Sequence, residues 1–121
     1  AALAAQRAER ADVAALAAIV DELDGLLEDF PAYRQADVRF HVVLAEATRS
    51  PRLVAATTEA QGRMTDLISY IPHPPEVLDW SNAQHRRLVD ALRARDGEAA
   101  VRVMSEHLRG TEHVLAGLLP V

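Results

Sequence analysis

The chain has 121 residues, half of them hydrophobic and only 4% aromatic, and a formal net charge of −5. That is one domain's worth of chain, and its alanine-rich, aromatic-poor composition favours closely packed helices over a sandwich or barrel. The acidic balance lacks the clustered Lys and Arg that phosphate neutralisation requires, and the absence of cysteine excludes disulfides and thiolate ligands.

The longest strictly apolar run, Val13 to Val20, falls far short of the roughly 20 residues of a membrane span. The opening AALAAQRAER lacks the apolar stretch of a signal peptide. It reads like the middle of a helix, so the sequence points to part of a longer cytoplasmic protein. Segment 1–8 is expected to be the end of a helix whose start is missing. Segment 12–29 carries Leu16, Ile19, Val20, Leu23, Leu26 and Leu27 at amphipathic-helix spacing, with Asp12 suited to the positive end of the dipole.

Phe30-Pro31 breaks the chain. A third helix, 32–48, places Phe40, Leu44 and Ala47 on one side. Ser50 caps and Pro51 opens a fourth helix over 52–71, with Leu53, Thr57, Ala60, Met64, Leu67, Ile68 and Ile71 on one face. After the stiff Pro72-His73-Pro74-Pro75 link, a fifth helix over 76–95 carries Leu78, Leu88, Val89 and Leu92. Asp96-Gly97 ends it, and Asp96 caps a sixth helix over 98–118, whose core arc is set by Met104, Leu108, Leu115 and Leu118. Short loops between long helices predict an all-α antiparallel bundle.

Helical phase turns four polar residues inward. Asp37 and His41 are roughly 40° apart, on the arc of Leu44. His85 shares the arc of Leu88, Val89 and Leu92. His107 lies roughly 60° from Met104, still inside the core arc. His113 faces water, and His73 sits in the proline-rich link. Burying polar groups without partners costs several kcal/mol each, so four of them on inward arcs call for an explanation. One is a shared divalent-metal site, for which carboxylate and imidazole are the usual ligands; the others are a buried hydrogen-bond network, or helices that never bring these residues together. HExxH is missing, and no Glu stands three residues before a His, which removes zincin-type and ferritin-like sites. Phosphate-binding glycine loops and nucleophile elbows are also missing.

DVRFHVVLAEATRSPRL resembles the D-x-x-F-H…L-A-x-A-x-x-N-P-x-L segment of the FadR C-terminal-like (FCD) ligand-binding domain of GntR-family bacterial transcription regulators. NAQHRRLVDALRARDGEAAVRVMSEHL is similar to that family's E-H-x-x-I-x-x-A-I-x-x-G-D-x-x-x-A-x-x-x-M-x-x-H-L stretch. The resemblance covers Ala1 to about Leu119. It implies a single FCD domain over residues 1–121: an all-α, antiparallel bundle of six to seven helices, separated from an N-terminal winged helix-turn-helix domain. It also implies a divalent metal held by Asp37, His41, His85 and His107, with zinc the first expectation and Ni, Mn, Fe or Co as others.

Two departures stand out. Ser50 replaces the family's Asn, and Gln84 replaces its frequent Glu, removing a negative charge beside the site. The resemblance further implies a small carboxylate effector near the metal, with Arg63 and Asn82 as candidate contacts. Trp80 is a candidate for the pocket mouth, though a core or interface role suits it better. DNA would be reached only through the winged-helix domain, in a homodimer. A metal-dependent hydrolase and a purely structural metal are the competing readings. No general base beyond the ligands is visible for the hydrolase.

Overall fold

The computed structural model describes residues 1–69 and 71–113 in full and the helical backbone to Ala116. Its described residues form α1 (Ala2–Arg7), α2 (Arg10–Asp24), α3 (Phe30–Glu46), α4 (Pro51–Ile68), α5 (Pro75–Arg93) and α6 (Gly97–Ala116). α2 packs on α3, α3 on α4 and α5 on α6 through short connections, giving antiparallel hairpins. α2 also packs on α5, and α1 rests on α5 and α6. The core is contributed by Leu16, Val20 and Leu23 of α2, Phe40 of α3, Leu88 and Leu92 of α5, and Val103 of α6. Each large side chain so buried contributes about 1.5–3 kcal/mol. No helix among the described residues is long and apolar enough to cross a membrane.

Local chemistry sets the helix ends. Glu9 and Asp12 form a reciprocal capping box at the start of α2. Asp29 accepts from Ala32 N and Ser50 from Leu53 N, each just ahead of a proline in the first turn. Asp96 Oδ1 accepts from Ala99 N at 3.0 Å, as its sequence position suggested. α3 starts at Phe30 rather than residue 32, because Pro31 lacks only an N–H that the first turn does not use. α2 stops at Asp24 rather than running to residue 29. Gly25 weakens the helix, and tight bonds from Gly25 N to Glu22 O and from Leu26 N to Leu23 O replace the α ladder.

α5 closes on Arg95, which adopts a left-handed φ of 54°. Arg95 N donates to Leu92 O and Asp96 N to Ala91 O, the double bond pattern of a Schellman end. The Arg95 guanidinium then donates to the Gln6 and Ala8 carbonyls, so a single residue ends α5 and ties down the end of α1.

Two expected faces are corrected. On α4 only Gln61 and Ile68 are buried, while Leu53 and Leu67 are exposed. α4 packs chiefly on α3, and a single neighbour covers only a narrow strip of a helix. On α6, Leu108 is 49% exposed, and the buried residues among those described are Ala100, Val103 and His107. His107 therefore sits in the middle of the buried arc, about 60° from where the leucines placed it. The side chains of Leu115 and Leu118 lie outside the described residues.

Candidate metal centre and its cavity

The i, i+4 spacing of Asp37 and His41 stacks both on the inner face of α3. His85 enters from α5 and His107 from α6, and all three histidines are buried. Their ring centroids stand 5.4 Å (His41–His85), 5.3 Å (His41–His107) and 4.6 Å (His85–His107) apart. One nitrogen from each ring lies within 4.8 Å of the other two. Asp37 Oδ1 is 3.3 Å from His41 Nε2 and 3.2 Å from His85 Nε2. The structure thus brings together the four residues singled out by helical phase.

The rings are oriented from behind. Asn82 Nδ2 donates to Val20 O at 3.0 Å and to Asp24 Oδ1 at 2.7 Å, which leaves Asn82 Oδ1 to face His85 Nδ1 at 3.1 Å. An amide oxygen accepts only from a ring N–H, so Nδ1 of His85 carries the proton and Nε2 presents a lone pair inward. Gln84 Oε1 acts likewise on His107 Nδ1 at 2.8 Å. Both residues come from the short NAQH segment of α5, which supplies one of the inward rings and supports two.

The inward atoms fit a cation. Asp37 Oδ1 and His85 Nε2 are buried with no hydrogen-bond partner among the described residues. Two lone-pair atoms facing each other at 3.2 Å cost stability, and a positive charge between them removes that cost. Neighbouring ligands of one ion, each about 2.1 Å from it, stand roughly 3.0–3.4 Å apart, and opposite ones about 4.2 Å. Burial, and then the His41 and His85 rings, push His107 down to about 3, so it is neutral at physiological pH. Burial also lowers His85. For Asp37 burial acts upward, but the adjacent His41 and His85 imidazoles outweigh it and hold the carboxyl well below the usual range. A deprotonated carboxylate and neutral imidazoles are the forms a metal requires.

Arg34, not Arg63, is the cation at this site. It is buried one turn before Asp37 and donates from Nη1 to Asp37 Oδ2 at 2.6 Å. Its Nε donates to Thr65 Oγ1, and its Nη2 to the backbone and side-chain oxygens of Gln61. Of the five guanidinium N–H groups, one on Nη1 stays uncommitted. Sequence reasoning passed over Arg34, although residues 34, 37 and 41 repeat at i, i+3 and i+7. Arg63 has a side chain 78% exposed and pairs with Glu59 in its own helix, away from the cavity. Asn82 also departs from its expected place. Expected as an effector contact, it is not part of the cavity wall, because the carbonyl of Val20 and Asp24 draw it inward behind His85.

A cavity of about 80 Å3 opens beside the cluster, with Arg34, Asp37, His41, Gln84 and His107 on its polar wall. Phe30, Met64 and Ile68 add apolar surface to the lining, and Tyr33 lies buried at the wall with its hydroxyl donating to Leu78 O. His73 stands outside the cluster yet joins the wall, its ring 3.8 Å from Phe30. His113 is exposed, as its phase predicted. Trp80 is half-exposed at the rim, and Gly110 gives its indole room: a Cβ there would fall 2.6 Å from the ring. It lines the cavity as the sequence allowed, rather than joining the core.

Asn82→Ala is expected to cost about 1–3 kcal/mol, since it strands buried polar partners on His85 and Val20. It should also weaken divalent-cation binding about 10- to 100-fold. Thermal melts with and without chelator, beside a metal-competition titration, check both effects.

The FCD domain family model matches residues 1–110. The chain is 33% identical over 110 residues to the HTH-type transcriptional repressor NanR of Salmonella newport (strain SL254), covering 87% of this chain and 41% of NanR. It is 28% identical over 102 residues to the galactonate operon transcriptional repressor of Escherichia coli (strain K12), covering 80% of this chain and 43% of that protein. It thus spans about two fifths of the length of these relatives. Among solved structures, E. coli McbR/YncC superposes with a TM-score of 0.88 at 20% identity, over 98% of this chain and 61% of that one, which shows a shared fold. The chain belongs to the FCD domain family, the helical-bundle domain of GntR-family regulators.

Proposed function

We propose that this domain is the effector-sensing half of a GntR-family transcription regulator. It would bind a divalent metal through Asp37, His41, His85 and His107, and a small organic acid in the adjoining cavity. The observation that carries this reading is the pair of partnerless buried atoms, Asp37 Oδ1 and His85 Nε2, 3.2 Å apart beside that cavity. Ligands of three nitrogens and one oxygen suit zinc first and Ni, Mn, Fe or Co as well. When bound, the ion supplies positive charge for a carboxylate, and Arg34 offers its uncommitted N–H from the same wall. The effector acts on an attached winged-helix domain only to the extent that it prefers one bundle arrangement over another. In this reading the full-length protein is a cytoplasmic homodimer whose two-fold symmetry matches a palindromic operator. The relatives' descriptions as transcriptional repressors favour sensing over hydrolysis.

Calorimetric titration of the metal-loaded protein with a panel of small carboxylates is expected to give saturable binding for at least one acid. Arg34→Lys should weaken that acid about tenfold, because an ammonium cannot hold the same fork. Silence across the panel with metal present would favour a purely structural ion.

A further inference from the structure

The support behind His85 does not end at Asn82. Asp24, at the last position of α2, receives the Asn82 amide on Oδ1 at 2.7 Å and Arg86 Nη2 on Oδ2 at 2.5 Å. We propose that Asp24 is a positioning residue for the metal centre: its carboxylate fixes the orientation of the Asn82 amide, and through it the tautomer of His85. It acts on a different helix from any ligand and touches none of them.

A carboxamide is nearly symmetric in shape but not in hydrogen bonding. With Oδ1 toward His85, the imidazole carries its proton on Nδ1 and offers a lone pair at Nε2. Turned over, the amide would present N–H to Nδ1, and the ring would move its proton to Nε2, the atom facing Asp37 Oδ1. That tautomer cannot ligate a cation there. The choice therefore rests on the two acceptors facing Nδ2, Val20 O and Asp24 Oδ1. The Val20 carbonyl alone uses one of the two amide hydrogens. The ionised carboxylate takes the other, and hydrogen bonds to an ionised acceptor are the stronger kind. Arg86 holds the carboxylate in place from the solvent side, reaching Asp21 as well.

The inference rests on the metal-site reading for its consequence, but not for its first readout. Nitrogen-15 NMR of the metal-free, histidine-labelled protein near neutral pH distinguishes the two neutral tautomers of His85. The wild type is expected to show the proton on Nδ1. Asp24→Asn, whose own amide can meet Asn82 with a donor, is expected to populate the Nε2-protonated form and to weaken zinc binding about tenfold, at the lower end of effects on outer-shell partners. Asp24→Glu, which keeps the carboxylate, should restore both. Asp21→Asn removes the other acidic partner of Arg86 and should change neither.

An Asp24→Asn protein with the wild-type tautomer and zinc affinity overturns the proposal. Equal losses in Asp21→Asn also overturn it, by assigning the effect to surface charge. A tautomer shift in a protein that takes up no zinc in any variant upholds the positioning role and overturns the metal reading instead.

Discussion

His85→Ala is expected to lower divalent-cation affinity by more than about a hundredfold, because changes in partners behind a ligand already cost 10- to 100-fold. His85 is the most enclosed of the three rings, 1% exposed and 4.4 Å from the Phe40 ring. Its removal strips the site of the nitrogen nearest Asp37 and leaves that carboxylate oxygen buried beside an apolar void. The loss has a thermal signature. A cation at about a hundred times its dissociation constant stabilises the native state by about 2.7 kcal/mol. The wild type should therefore melt several degrees higher with zinc than with chelator, and the variant should show almost no difference. Metal content by elemental analysis closes the test. Unchanged stoichiometry and affinity in His85→Ala would remove this residue from the ligand set.

Acid should unfold the metal-free domain over an unusually wide range. His85 and His107 have folded-state pKa values below the ordinary 6.5, His107 at about 3. Below pH 6.5 the unfolded chain takes up protons that the folded chain refuses, so stability falls with pH until about 3, where His107 too becomes charged. Asp37 adds to the loss at the acid end. Its depressed pKa contributes stability above the ordinary 3.8, and this disappears as pH falls through the folded value. Since a tenfold change in proton affinity is worth about 1.4 kcal/mol, the sum over these groups reaches several kcal/mol. Denaturant titrations in chelator should show the midpoint dropping steadily from pH 7 to pH 4. His107→Asn, which removes one of the refused protons, should flatten that slope. A midpoint that stays level across the range would contradict the buried, neutral state of these rings.

The fold was legible wherever local chemistry decided it. Ser50-Pro51 and Asp96 marked helix starts because a cap needs only its own first turn. The left-handed ending at Arg95 was not legible, since arginine has no intrinsic preference for that conformation and is held there by bonds to α1. Helical phase brought out Asp37, His41, His85 and His107, because their arcs are defined by flanking apolar residues. It failed for Leu108 and Leu67, whose arcs were drawn as if every helix had neighbours on all inward sides. Arg34 escaped for a related reason, and Gln84 was placed beside the site by resemblance without its bond to His107. Long polar side chains are assigned to solvent by default, and only the assembled bundle shows that their partners are buried. Arg63 was the opposite case, a candidate effector contact by resemblance whose exposed side chain pairs with Glu59.

The contact between Trp80 and Gly110 has an optical consequence. Trp80 is the chain's only tryptophan, and it stands half in water at the rim of the cavity. Indole emission responds to the polarity around the ring, so this chain's tryptophan fluorescence originates at the doorway of its own pocket. Whatever enters or seals that doorway changes the light the domain gives off, with no label attached.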